Sequence, residues 1–136
     1  CDAVRLRAVE VCAEVAAGSA AGLAVLAPVL AQVFERILDK RPRIREACAQ
    51  AAAHLYARHA LPGWAEARFR EAQELDWIPQ LLCEAYRVSA TSRLGHTALL
   101  EELIEQHLLA CGAELKPKGR ALVIAGLCRS ARAKRA

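Results

Sequence analysis

The feature that most constrains the fold is a pattern that occurs twice, forty residues apart. In the second copy, the pair Ile44-Arg45 opens residues 44–59, where apolar side chains recur at the spacing of one helix face. The side chains on that face are Cys48, Ala51, Ala52 and Leu55. In the first copy, the pair Val4-Arg5 stands at the equivalent position. A pattern that returns after a fixed interval of this length predicts repeated helical units rather than an enzyme fold.

The interval matches the helical hairpin of HEAT-type repeats. The predicted fold class is therefore all-α, a HEAT-type helical-repeat solenoid (an α-α superhelix) in which each hairpin packs against its neighbours. With 136 residues, 55% of them apolar, the chain suffices for one compact core. Because the sequence contains no methionine and opens inside a helical pattern, we expect residues 1–136 to form a single HEAT-repeat segment, a fragment of a longer solenoid.

Membrane and disulfide signals are weak. The apolar run 20–33 is shorter than the roughly 18 apolar residues of a bilayer span, and no basic leader or cleavage site accompanies it, so we expect a soluble protein. The six cysteines are widely spaced, which argues against a zinc knuckle or a redox pair. Most of them stand among alanines and leucines, where a free thiol in a reducing compartment behaves as a small core residue. They are Cys1, Cys12, Cys48, Cys83, Cys111 and Cys128.

Positive charge is concentrated at the C-terminal end. The net charge is +4, and residues 116–136 carry seven of the nineteen basic side chains and no acidic one. A smaller basic cluster precedes the helix of the second repeat copy and consists of Lys40, Arg41, Arg43 and Arg45. Either group suits nucleic acid, a polyphosphate or an acidic partner segment. The alternative is a solvated face whose counter-charges lie elsewhere in the protein.

Helical patterns cover almost the whole chain. The first predicted helix spans 2–17, with Asp2 able to cap it and Gly18-Ser19 ending it. Its apolar stripe consists of Val4, Ala8, Val11, Cys12 and Val15. The second spans 23–38, with Pro28 either starting or kinking the main run. The third spans 43–59 and is predicted to stop before the turn Leu61-Pro62-Gly63.

The second half is less regular. Residues 64–75 are mostly polar and predict a connector with Trp64 and Phe69 as its large apolar anchors. Asp76 is a suitable cap for a helix over 77–88, whose buried stripe is Trp77, Ile78, Leu81, Leu82, Ala85 and Tyr86. A turn at 89–95 then leads to a stripe of Leu99, Leu100, Leu103, Ile104, His107 and Leu108. A last helix is predicted at about 117–133.

Catalytic chemistry is not indicated. The four histidines lack the spacing of metalloenzyme motifs, and no glycine-rich loop follows a strand. His54 and His59 could meet a metal across a helical turn, but a polar helix rim is the simpler interpretation. Glu101, Glu102 and Glu105 fit the solvated face of an amphipathic helix. We therefore predict no enzyme activity, no catalytic residues, no metal and no cofactor.

The residues resemble a known family. The succession Asp39-Lys40-Arg41, 43–47, Leu55-Tyr56, Trp77-Ile78, Leu81-Leu82 and Tyr86 is similar to the precocious-dissociation-of-sisters family of cohesin regulators. The resemblance covers nearly the whole chain and is most distinctive over residues 38–86. This chain departs from the family in two ways: Pro42 stands where a tryptophan is usual, and alanine replaces many charged residues.

The resemblance implies a curved helical scaffold that binds an extended segment of the kleisin subunit of cohesin and helps decide whether the ring stays closed. Its implied partners are the kleisin, the wings-apart-like release factor and the cohesin acetylation or maintenance machinery, with DNA or chromatin reached indirectly. The implied location is the nucleus. Neither a membrane nor a small-molecule substrate is expected.

Two groups of residues are candidates for binding. Tyr86 and Arg87, with Lys116, Lys118 and Arg120, combine an amphipathic aromatic ring with cations and suit an acidic, partly apolar partner segment. The alternative for Tyr86 is a core tyrosine whose hydroxyl reaches solvent. The cluster of Lys40, Arg41, Arg43 and Arg45 predicts either an anion site, for instance for an inositol polyphosphate, or inter-repeat pairing with Glu35 or Glu46.

Two other functions stay open at this stage. One is a generic HEAT-repeat adapter for protein partners, unrelated to cohesin. The other is direct DNA binding by the basic C-terminal end, which predicts an affinity that falls steeply with ionic strength.

Overall fold

The computed structural model describes residues 1–68, 70, 73–91 and 97–109, together with residues 121, 124, 125 and 128. Within these residues the structure is helical and contains no strand, which confirms the predicted all-α class. The α-helices are α1 (Asp2–Gly18), α2 (Ala20–Phe34), α3 (Pro42–Ala65), α4 (Trp77–Thr91) and α5 (Thr97–Leu103). A 3-10 helix (Glu35–Leu38) follows α2, and a π-helix (Ile104–Leu109) follows α5.

Helices α1 and α2 form a hairpin with a very short turn. Helix α1 ends at Gly18, as predicted, and Ser19 has an extended backbone. The hydroxyl of Ser19 accepts a hydrogen bond from the amide of Gly22 at 2.9 Å, which caps α2. Because of this cap, α2 begins at Ala20, three residues before the predicted Leu23, and it continues on both sides of Pro28.

Helix α3 lies at the centre of the fold. It contacts every other helix, including the 3-10 and π-helices. On the face predicted to be apolar, Cys48, Ala52 and Leu55 are each at most 1% exposed, and Ala51 is half-buried. Tyr56, the largest fully buried side chain, belongs to the same helix. The burial of this face therefore follows from its apolar spacing.

The prediction that α3 stops before Leu61-Pro62-Gly63 is wrong. The helix continues through Pro62 to Ala65. A proline inside a helix costs about 3 kcal/mol, whereas burial of one large apolar side chain contributes about 1.5–3 kcal/mol. Leu61 and Trp64 are both buried, and the indole of Trp64 donates to the hydroxyl of Tyr56 at 3.0 Å. The burial of two side chains therefore offsets the lost hydrogen bond.

Helix α3 ends in a Schellman turn. The amide of Ala67 donates to the carbonyl of Trp64 and the amide of Arg68 to the carbonyl of Gly63. This turn places Ala67 in the left-handed region, at φ 60°. Glycine is the residue usually found there, because it has no β-carbon to clash with the backbone.

The predicted buried stripe of α1 is also wrong. Val9 and Ala16 are the buried residues of this helix, whereas Val4, Val11 and Val15 are 67%, 40% and 47% exposed. Apolar residues occur on more than one side of α1, so periodicity alone does not identify the side that meets α3. On α2, Val25 and Val29 are exposed as well. The α1–α2 hairpin thus presents five exposed valines, here called the valine surface: Val4, Val11, Val15, Val25 and Val29.

The second half of the chain packs as predicted along α4. Ile78, Leu82 and Ala85 are buried, and the neighbouring apolar side chains of the predicted stripe are partly buried against the core: Trp77, Leu81 and Tyr86. The helix extends to Thr91, beyond the predicted end at Val88. Leu100, Leu103 and Leu108 then continue the core into α5 and the π-helix.

Residues Ala20–Leu38 form a helical stretch of 19 residues with a mean hydropathy of 1.6, of which 17% is buried. The apolar run 20–33 thus belongs to a longer helical stretch, because α2 continues to Phe34 and the 3-10 helix follows it. Its length and composition would allow it to cross a membrane. Core helices of soluble proteins and signal sequences have the same length and composition. These two properties alone therefore do not place this helix in a membrane.

The cysteines are less buried than predicted. Cys48 is buried in the core, whereas Cys1, Cys83 and Cys128 are exposed and Cys12 is half-buried. All five are free thiols. An alanine-rich neighbourhood along the sequence did not identify the buried positions, because alanines in this chain also occupy outer helix faces such as 20–21. Cys111 and Phe69 lie outside the described residues.

Candidate partner-binding surfaces

Tyr86 connects two helices. It packs against the core from α4, and its hydroxyl donates to the Oε1 atom of Glu101 on α5 at 2.8 Å. This hydrogen bond to a carboxylate raises the pKa of Tyr86 above its ordinary value. The ring of Tyr86 is therefore partly buried, and its hydroxyl is held at the α4–α5 contact.

Arg87, the next residue, is exposed on α4 and paired within its own helix. Its guanidinium donates to both carboxylate oxygens of Glu84, at 3.1 and 2.5 Å. This pair raises the pKa of Arg87 further. An acidic partner segment that meets Arg87 must compete with Glu84, so the surface at this point is less cationic than the sequence alone indicates.

The other predicted members of this surface, Lys116, Lys118 and Arg120, lie outside the described residues. Of the predicted last helix, residues 121, 124, 125 and 128 are described, and all four are helical and exposed. The structure therefore brings Tyr86 next to Arg87 and does not test their relation to the C-terminal cations.

The basic cluster before α3 divides into two kinds of residue. Lys40 and Arg43 are exposed. Arg41 pairs through Nε with Asp2 of α1 at 2.8 Å, and a guanidinium nitrogen of the buried Arg45 donates to the carbonyl of Asp39 at 2.8 Å. The sequence pointed to Glu35 or Glu46 as the inter-repeat partner. At the contact between α1 and the α3 entry, the partner of Arg41 is Asp2.

Asp39 organises this entry, and the sequence analysis missed its role. Its side chain is only 5% exposed. It accepts a hydrogen bond from the amide of Arg41 at 2.9 Å and lies 3.2 Å from Nε of Arg5 on α1. A guanidinium nitrogen of Arg5 also donates to Asp2 at 2.7 Å. Arg5, Asp2, Asp39 and Arg41 thus form one network, here called the entry clamp, which ties the start of α1 to the start of α3.

The pKa of Asp39 reflects these contacts. The hydrogen bond from the Arg41 amide lowers it below the ordinary value, burial opposes this effect, and the positive charges of Arg5 and Arg36 lower it further. The sequence did contain one signal for this residue. An aspartate side chain often bonds to the backbone amide two residues further along the chain, as Asp39 does with Arg41 just before α3. Arg5, its partner, appears in the sequence only as part of the repeated pair Val4-Arg5, and that pair does not indicate a contact with Asp39.

The two histidines considered as a pair from the sequence each have another neighbour. The Nε2 atom of His59 lies 3.0 Å from the carbonyl oxygen of Ala16. The ring of His54 instead lies edge-on to that of His107, with centroids 6.4 Å apart. In the part of the chain that the structure describes, no three His, Cys, Asp or Glu side chains come together as metal ligands.

Comparison with known proteins gives one match. A family model described as "Sister chromatid cohesion protein PDS5 protein" matches residues 2–136. No curated protein and no solved structure matches the chain. The match extends over all the described helices and both candidate surfaces rather than over one short motif.

Proposed function

The chain belongs to the sister chromatid cohesion protein PDS5 family, and from this premise we propose that it is a non-enzymatic scaffold that regulates cohesion by binding proteins. Its proposed partners are the kleisin subunit of cohesin and the factors that release or maintain the ring, and its proposed location is the nucleus. The observation that carries this proposal is the extent of the family match, residues 2–136. That extent also favours a cohesion function over the generic adapter.

The architecture we propose is a segment of a longer HEAT-type solenoid. In a solenoid each hairpin buries its apolar faces against neighbouring hairpins, and the terminal repeats need polar outer faces. The hairpin α1–α2 packs on α3, and α1 buries Val9 and Ala16, yet the hairpin leaves the valine surface exposed to solvent. Exposed valines on a helical hairpin are the expected property of a face that receives another hairpin.

We place the kleisin contact along α4 and the basic C-terminal end. The ring of Tyr86 offers apolar area beside the α4–α5 contact, and the exposed guanidinium of Arg87 can exchange Glu84 for a partner carboxylate. Lys116, Lys118 and Arg120 supply further positive charge in a region without acidic residues. An extended segment with carboxylates and a few apolar side chains complements this combination.

Titration calorimetry with a peptide from the kleisin of the same organism tests the proposal. Combined reversal of Lys118→Glu and Arg120→Glu replaces two attractions by repulsions, so we expect an affinity about tenfold lower or weaker still. Arg7→Glu is the matched control, because Arg7 is an exposed cation on α1, far from α4 in the sequence. Unchanged kleisin affinity in the double variant would remove the proposed surface.

Direct DNA binding remains a second candidate because of the seven basic residues after Leu115. It predicts binding to duplex DNA at low salt that weakens steeply as salt is added. Negligible binding to duplex DNA at low salt would leave protein partners as the targets of this basic end.

A further inference from the structure

A cavity of about 200 Å³ opens between α2, α3 and the start of α4. One wall is a face of α2 on which small and large apolar residues alternate at helical spacing: Leu23, Ala24, Ala27 and Leu30. The alanines create the concavity, because their side chains end at the β-carbon. Leu30 and Leu75 are almost fully buried, so both reach the cavity from the core.

An aromatic side chain forms another part of the lining. Trp77, at the start of α4, lines the cavity, and its ring packs against Phe34 with centroids 6.0 Å apart. Trp77 is therefore held in place from behind by a buried ring. An apolar cavity of about 150 Å³ in another protein holds a benzene molecule. A cavity of this size and lining accordingly accommodates one aromatic side chain.

The polar groups of the cavity are His59 and Glu74. A carbonyl oxygen only accepts hydrogen bonds, so the Nε2 atom of His59, 3.0 Å from the carbonyl of Ala16, must be the donor. In the neutral ring, Nδ1 is then an acceptor. The carboxylate of Glu74 also accepts and carries a negative charge. Both polar groups thus favour an occupant that brings hydrogen-bond donors and positive charge.

We propose that this cavity is a docking site for a partner peptide that inserts one aromatic side chain and places a lysine or arginine beside it, against Glu74. This peptide is basic, whereas the segment proposed to bind the α4 surface is acidic. The two proposals therefore rest on different residues. The aromatic ring supplies apolar burial between α2 and Trp77. The neighbouring lysine or arginine pairs with the negative charge of Glu74 at the rim of the cavity.

The test is an NMR titration of the isotope-labelled 136-residue chain with three capped peptides of sequence GKWKG, GEWEG and GKAKG. GKWKG is expected to shift the amide signals of Ala24, Ala27 and Leu30 and to bind about fivefold more tightly than GEWEG. GKAKG, which lacks the aromatic anchor, is expected to leave those signals in place. Equal binding of GKWKG and GEWEG, or shifts with GKAKG alone, would overturn the proposal.

Three variants sharpen the result. Ala24→Leu fills the cavity and is expected to abolish the shifts, whereas Ala21→Leu, an exposed position of α2 outside the cavity lining, retains them. Glu74→Gln alters only the exposed rim and is expected to reduce the preference for GKWKG over GEWEG towards equality. If the same amides shift with protein concentration in the absence of peptide, the cavity receives a second copy of the chain and the peptide proposal is wrong.

Discussion

Gly22 of α2 lies so close to Val15 of α1 that a β-carbon at position 22 would overlap the carbonyl oxygen of Val15. The amide of Gly22 also donates to the Ser19 hydroxyl. Position 22 therefore combines two requirements of the hairpin, a helix cap and a close helix crossing, and the second one excludes any side chain.

Gly22→Ala is expected to destabilise the protein by about 1–3 kcal/mol, because backbone must move to admit the methyl group. Gly18→Ala is the matched control. A β-carbon at Gly18 meets no atom within 4 Å, and alanine favours helix over glycine, so this variant should be equal to or up to about 1 kcal/mol more stable than the parent. Denaturant unfolding measures both. Similar stability of the two variants would contradict the close crossing.

Asp39→Asn is expected to cost about 1–3 kcal/mol near neutral pH, because it weakens charge-assisted hydrogen bonds in the buried part of the entry clamp. The folded pKa of Asp39 is lowered from 3.8, so its ionised form stabilises the folded state. This contribution is complete above the unfolded pKa and is lost as pH falls through the lower, folded value.

Unfolding free energies measured between pH 2 and pH 7 check this prediction. The parent should lose more stability on acidification than Asp39→Asn does. Glu10→Gln serves as the control, because Glu10 pairs with Arg7 on the exposed side of α1 and its loss should change stability by less than about 0.5 kcal/mol. Parallel pH profiles for the parent and Asp39→Asn would rule out the proposed role.

Glu101→Gln is expected to lower the pKa of Tyr86 towards its ordinary value, because the hydrogen bond and the negative charge of Glu101 are what raise it. Since the folded pKa lies above 10.0, the tyrosine stabilises the fold below that pH and ceases to do so as pH rises through the folded value. Ultraviolet titration of tyrosinate should therefore begin at a lower pH in the variant.

Glu102→Gln provides the comparison for this titration, because the neighbouring Glu102 bonds to Gln106 and not to the tyrosine. Its titration curve should coincide with that of the parent. A Glu101→Gln curve that also coincides would mean that Tyr86 and Glu101 do not interact in solution.

Cys48 should resist alkylation in the folded protein. Its side chain is fully buried, and burial raises the pKa of the thiol from 9.0 to about 12. At pH 8 the thiolate fraction is then lower by a factor of about a thousand than for a thiol of pKa 9.0, before access is considered. Iodoacetamide labelling followed by peptide mass spectrometry should modify the exposed Cys128 first and Cys48 only under unfolding conditions.

Local patterns predicted the parts of the fold that local chemistry determines. The pair Gly18-Ser19 indicated the end of α1, and the spacing from Ile78 to Ala85 identified the buried face of α4. In both cases the decisive residues are neighbours along the chain. A helix end needs only a cap and a flexible position, and a clear apolar stripe leaves one choice of inner face.

Contacts between distant segments determined what the sequence did not reveal. Pro62 predicts a break, but the tertiary burial of Leu61 and Trp64 keeps α3 helical. The network around Asp39 depends on Arg5 and Asp2, which approach it only because α1 packs on α3. On the α4 surface, sequence indicated Tyr86 and Arg87 as a pair, and only the structure showed the glutamates that hold each of them.

The valine surface of α1–α2 has a practical consequence for every affinity measured on this chain. Exposed apolar side chains such as these favour self-association as protein concentration rises. Calorimetric heats would then mix dissociation of the chain from itself with association to a peptide. Sedimentation across a dilution series fixes the concentration below which the chain is monomeric, and the binding constants that matter are those measured under that limit.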